Sequence, residues 1–119
     1  MSYVPLHVHS QYSILDSTVS IKKLAERAKE FGIDSLALTD SGNLYGAVEF
    51  YQTCKKLSIK PIIGCELRMA PEACQNKRKL PGVPTSFPFV VLAINEEGYR
   101  NLCKLSSLGY LEGFYYHPR

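Results

Sequence analysis

Short apolar runs alternate with helix-spaced segments along this chain, and that alternation narrows the fold more than any other feature. The apolar runs Tyr3–His9, Ser35–Thr39, Pro61–Glu66 and Phe89–Ile94 read as strands. Ser20 can cap a helix over Ile21–Phe31, with Gly32 as its stop. In that segment Ile21, Leu24, Ala25, Ala28 and Phe31 recur on one face, with Lys22, Lys23, Arg27 and Lys29 mainly on the other. A second helix is predicted over Tyr45–Leu57, with Ala47, Val48, Phe50, Tyr51 and Cys54 as its apolar face. A third spans Glu96–Leu108, with Gly109 as its stop. The order is β-α-β-α-β-loop-β-α, which predicts an α/β fold of parallel strands joined by right-handed helical crossovers. A doubly wound sheet and a segment of a β/α barrel both satisfy it. In either, functional groups collect at the carboxyl ends of the strands.

The polar residues follow that rule. His7 and His9 close the first strand, two residues apart, so both imidazoles face one side while Val4, Leu6 and Val8 face the other. Asp40 closes the second strand and Glu66 the third; the fourth ends in Ile94-Asn95 with no obvious ligand. Taken singly these are weak signals. A histidine pair in a strand is commonly a hydrogen-bonded structural pair, and Asp40 alone can cap the Asp40-Ser41-Gly42-Asn43 turn. Their common register is the stronger signal, because two carboxylates gathered without a cation repel and desolvate badly. A divalent metal follows, and with it hydrolytic chemistry. Mixed imidazole and carboxylate donors suit zinc, manganese or iron.

Composition limits the alternatives. At 119 residues the chain is one domain, 1–119, or a piece of one. It is 45% hydrophobic and 21% charged, which makes it globular rather than disordered. A net charge of +3 without a sharp basic stripe is weak support for a dedicated nucleic-acid surface. Cys54, Cys65, Cys74 and Cys103 form no Cys-x-x-Cys pair, which argues against a zinc ribbon and for reduced, packed thiols in a cytoplasmic protein. No signal peptide and no membrane-spanning apolar run is present, so no membrane partner is expected. The basic run Gln75-Asn76-Lys77-Arg78-Lys79 reads first as a solvated excursion and second as a phosphate-contacting loop.

Several stretches carry a family resemblance: His7-Val8-His9-Ser10, Tyr12-Ser13-Ile14-Leu15-Asp16, the run Leu38–Tyr51, Lys60–Glu66, Asn95–Leu102 and Gly109–Tyr116. Together they resemble the PHP domain (polymerase and histidinol phosphatase) found at the amino terminus of bacterial DNA polymerase III alpha subunits. The resemblance covers nearly the whole chain. It implies a (β/α)7 barrel with strand ends that hold up to three metals, here truncated after about four strands as an amino-terminal fragment of a much longer chain. It also implies that His7, His9, Asp16, Asp40 and Glu66 correspond to metal-site positions. Metal-binding members carry a histidine after the aspartate of the second motif, where this chain has Ser41, and another near the start of the fourth strand, in the Ser86-Phe87-Pro88-Phe89 run. His117 is a further candidate near the end. Zinc, manganese or magnesium are the implied cofactors, DNA and other replisome subunits the implied partners, reached through downstream polymerase domains of the full-length chain. The leading expectation is a scaffold with a partly degraded metal site. A metal-dependent 3′-5′ exonuclease is the alternative, and a free-standing histidinol-phosphatase-like phosphoesterase the third.

Overall fold

The computed structural model describes residues 3–119 as three helices around a three-stranded sheet. In chain order these are α1 (Ile21–Glu30), β1 (Ser35–Leu38), α2 (Ala47–Lys56), β2 (Lys60–Met69), β3 (Phe87–Leu92) and α3 (Glu96–Leu111). The sheet order is β1-β2-β3.

Helix α1 forms as its sequence dictates. The Ser20 hydroxyl accepts from the Lys23 N–H, and Gly32 adopts φ +68° just past the last turn. That left-handed residue lets Ile33 N–H return to the Ala28 carbonyl at 2.9 Å and close the helix end. Ile21, Ala25 and Ala28 are buried and join Leu36, Leu38, Phe50, Cys54 and Ile59 in one core cluster. Helix α2 is shorter than its pattern predicts. Ala47, Phe50 and Cys54 are buried, but Val48 and Tyr51 face solvent. It starts tight against α1: a Cβ on Gly46 would come within 2.6 Å of Ile21 Cδ1 and 2.8 Å of Tyr12 Cδ2.

Strand β2 changes partners along its length. Residues Lys60–Ile63 pair in parallel with Ser35–Leu38 of β1, whose Leu36, Ala37 and Leu38 are all buried. Residues Gly64–Met69 pair antiparallel with Phe87–Leu92 of β3. This corrects the expectation of parallel strands throughout. Residues 70–86 contain no helix, so the chain lacks the crossover that a parallel return needs and comes back beside itself. Gly64 sits at the changeover, where a Cβ would lie 2.6 Å from Leu92 Cδ2 and 2.7 Å from the Val91 carbonyl oxygen.

The predicted first strand, Tyr3–His9, is not a strand: it runs beside β1 without a regular ladder. Ala37 N–H donates to the Pro5 carbonyl and Thr39 N–H to the Val8 carbonyl, at 3.1 and 2.8 Å. Pro5 to Val8 is three residue steps while Ala37 to Thr39 is two, so one extra residue bulges out of register. Proline also lacks the amide a ladder needs. The Thr39 hydroxyl repairs the gap by accepting from Val8 N–H at 2.8 Å. Val8 packs on the core, whereas Leu6 is exposed.

Helix α3 begins on Asn95, whose side chain accepts from Gly98 N–H at 2.9 Å. It does not stop at Gly109, as the sequence suggests, but runs on to Leu111. Gly109 is buried because Pro118 and Arg119 pass over it, with Arg119 N 3.4 Å from where a Cβ would stand. The Arg119 guanidinium donates to the carbonyls of Gly113, Thr85 and Asn76, which ties the 70–86 excursion to the residues after α3. The four cysteines are free thiols. No helix among the described residues is long and apolar enough to cross a membrane.

Candidate metal centre

Three side chains from two distant stretches converge beside the β1 end of the sheet. His7 Nε2 lies 2.6 Å from Glu66 Oε2, and His9 Nε2 lies 3.1 Å from the same oxygen. The imidazole rings meet edge to face with centroids 5.2 Å apart. The bulge beside β1 does not disturb their common facing, since both imidazoles reach the same Glu66 oxygen. Glu66 lies inside β2 rather than at its end, since β2 runs on to Met69. It nevertheless sits past the last β1 partner, Ile63, where the sheet's parallel half has ended.

A carboxylate that is ionised can only accept, so an imidazole bonded to it through Nε2 donates a proton from that nitrogen. A cation placed there would take the position of such protons. The donor set fits one: two imidazole nitrogens and a carboxylate oxygen, all within 4.8 Å of one another. Two histidines and a carboxylate with a further position open is a donor set used by catalytic zinc and non-haem iron sites. The His7 side chain is 57% exposed, which leaves that open position to water or substrate, while His9 at 19% and Glu66 at 13% are shielded.

The other predicted residues lie elsewhere. Asp40 is buried, and its carboxylate is turned toward Ser10 and Ser13. Asp16 is exposed on the loop that follows His9. Ser41 forms a parallel bridge with Glu66, and its N–H donates to Ser13 Oγ at 3.0 Å. Pro88, on β3, pairs with Arg68 of β2, two residues along from the Glu66–Val90 pair and hence on the same face. A groove of about 770 Å³ opens beside Glu66, and Asp16, Ser41, Arg68, Tyr110 and His117 line it. His117 is exposed. In the basic run, Lys77, Arg78 and Lys79 are exposed, and Arg78 reaches Glu72 at 3.5 Å.

Sequence reasoning missed Ser10, Ser13 and Cys65. Ser10 and Ser13 are fully buried polar residues next to His9, and small hydroxyls beside a strand-end aspartate were the available signal. Cys65 is buried next to Glu66; its thiol donates to the Asp40 carbonyl at 3.4 Å, and burial pushes it up to about 11. Tyr12 braces the same loop from outside, with its hydroxyl donating to Glu49 at 2.9 Å, a bond that raises the phenol above its usual range.

This is a mixed α/β fold whose sheet margin gathers an imidazole pair and a carboxylate, donors that could hold a metal ion. The PHP domain matches residues 5–119, and the chain belongs to that family. It is 60% identical over its whole length to DNA polymerase III subunit alpha of Chlamydia trachomatis, 50% to that of Treponema pallidum, and 47% over 99% of its length to that of Helicobacter pylori. It spans about a tenth of the length of these relatives. Among solved structures, an amidohydrolase from Chromobacterium violaceum shares the fold at a TM-score of 0.60 and 19% identity, over 88% of this chain and 34% of that one. A protein described as a metal-dependent phosphoesterase from Bifidobacterium adolescentis does so at 0.60 and 18%, over 90% and 34%.

Proposed function

We propose that this chain is part of the PHP region of a replicative DNA polymerase alpha subunit, where it acts mainly as a scaffold and retains part of a divalent-metal site. The observation that carries this reading is the 60% identity, without loss of coverage, to a DNA polymerase III subunit alpha. The fold neighbours are each matched over about a third of their length, which supports a sheet continued by further elements into the (β/α)7 barrel. DNA, other replisome subunits and the downstream polymerase domains are then the partners of the full-length protein.

His7, His9 and Glu66 are the residues that would hold the ion. Bound there, a zinc, manganese or magnesium ion would supply a water of lowered pKa and neutralise phosphoryl charge. The chain's own contribution is to fix the donors. The extended run through Val8 holds the two imidazoles on one side, and β2 presents Glu66 between them. Ser41 and Pro88 offer no imidazole, which favours scaffolding over full catalysis. The second reading, a metal-dependent 3′-5′ exonuclease, draws its support from the intact His7–His9–Glu66 group.

The deciding experiment uses the full-length protein, wild type and His7→Ala/His9→Ala, in primer extension and in a 3′-end-labelled DNA degradation assay with no other protein present. The scaffold reading predicts extension by the wild type and metal-dependent degradation at no more than trace level. Degradation that is robust in the wild type and abolished in the double variant would establish the exonuclease reading instead. Absence of extension by the wild type would contradict both.

A further inference from the structure

We infer that Asp40 is a positioning residue, which locks His9 and Glu66 into register, and not itself a donor to the ion they would hold. The purpose assigned to it rests on the metal-centre reading above; the latch itself rests on geometry alone. The Asp40 carboxylate is 1% exposed. Its Oδ1 accepts from Ser10 N–H and from the Ser13 hydroxyl, each at 2.6 Å, and its Oδ2 accepts from the Ser10 hydroxyl at 2.8 Å. These short bonds satisfy the buried carboxylate from the chain's own donors, without a cation. Ser13 Oγ also accepts Ser41 N–H at 3.0 Å, and Ser17 Oγ donates to the His9 carbonyl at 3.0 Å, so the loop after His9 is stitched at both ends.

The main chain of Asp40 does the matching work on the other side. Its carbonyl accepts Glu66 N–H at 3.0 Å and the Cys65 thiol at 3.4 Å. One residue therefore holds the neighbour of His9 with its side chain and the backbone of Glu66 with its carbonyl. The group of mutually close donor atoms is His7, His9 and Glu66 without Asp40. Three of the roughly four acceptor directions of the carboxylate are already filled by Ser10 and Ser13.

The test uses the full-length protein with two readouts: hydrogen exchange of the 8–17 segment in chelator-treated protein, and zinc affinity by competition with a chromogenic chelator. Ser10→Ala/Ser13→Ala removes both side-chain bonds of the latch, sparing only that of Ser10 N–H, while leaving every imidazole and carboxylate in place. It should speed exchange over 8–17 and weaken zinc by about 10–100-fold, the usual cost of losing an orienting partner. Asp40→Ala should do the same, and adding it to the serine double should cost little more. Asp40→Asn keeps an acceptor for Ser10 N–H and Ser13, and the Ser10 hydroxyl can rotate to accept from the new amide, so zinc should weaken by less than about tenfold. Exchange over α3 should stay unchanged throughout; if Asp40→Ala loosens α3 as well, Asp40→Asn and the serine double decide. A zinc loss beyond about a hundredfold in Asp40→Asn with normal exchange over 8–17 would overturn the inference and make Asp40 a ligand. Unchanged exchange and zinc affinity in the serine double would overturn it too. If the wild type takes up no zinc, the metal-centre reading falls while the exchange readout still decides the latch.

Discussion

His7 Nε2 lies 2.6 Å from Glu66 Oε2 although the two residues are 59 positions apart in sequence. Such a contact between distant stretches exists only because β2 carries Glu66 past the end of β1. Glu66 is the one carboxylate that both imidazoles share, so it is the residue the site can least do without. We predict that Glu66→Gln lowers zinc or manganese affinity by more than about a hundredfold, beyond the cost of losing an orienting partner alone. Chelator competition measures this. An affinity within about tenfold of the wild type would place the ion elsewhere.

Gly64 marks the changeover from parallel to antiparallel pairing, and its environment leaves no room for a side chain. A methyl there would meet the Val91 carbonyl at 2.7 Å and Thr39 Cγ2 at 2.9 Å, and backbone yields poorly. We predict that Gly64→Ala destabilises the protein by about 1–3 kcal/mol, as overpacking does. The denaturant midpoint should fall at unchanged m-value. A midpoint equal to wild type would mean that β2 and β3 separate more easily than their packing implies.

Phe50 is the largest side chain wholly buried in the cluster shared by α1, α2 and β1. Phe50→Ala should cost about 3–5 kcal/mol through lost burial and the cavity left behind. Urea denaturation of the two proteins side by side checks the value; a loss under about 1 kcal/mol would show that the core collapses around the gap.

Burial pushes both the Cys54 and the Cys65 thiol up to about 11, from an ordinary value of 9.0. A raised folded-state pKa favours the neutral thiol. Its contribution is fully present below pH 9 and drains away as pH rises toward 11, because the unfolded chain releases those protons first. The wild type should therefore lose stability between about pH 9 and pH 11 faster than a Cys54→Ala/Cys65→Ala variant. Parallel slopes for the two would contradict this assignment. At neutral pH, alkylation should reach Cys74 and Cys103, which are partly exposed, before the two buried thiols.

Much of this arrangement is legible in the sequence, and the parts that are not have identifiable causes. Helix α1 is readable because Ser20 and Gly32 cap it with local chemistry. Gly109 has the same residue type as Gly32 but a different cause: it admits the backbone of Arg119, a contact no local pattern reports. The antiparallel β3 has a sequence signal in the lack of a helix between Glu66 and Phe87, which the regular alternation before it masks. The irregular first strand escaped because Pro5 and the bulge beside it look ordinary in an apolar run. His7, His9 and Glu66 stand out in the sequence by two-residue spacing and place near strand ends, and His7 and His9 both reach Glu66 although the extra residue falls between Pro5 and Val8. Asp40 was singled out for its place at a strand end; its partners Ser10 and Ser13 became visible only through the fold.

The most direct test of the metal centre is elemental analysis of the full-length protein, purified without chelator, beside its His7→Ala/His9→Ala variant. A divalent metal carried by the wild type and lost from an otherwise folded double variant is the predicted result. Equal metal in both proteins, or none in the wild type after incubation with zinc and with manganese, would contradict it.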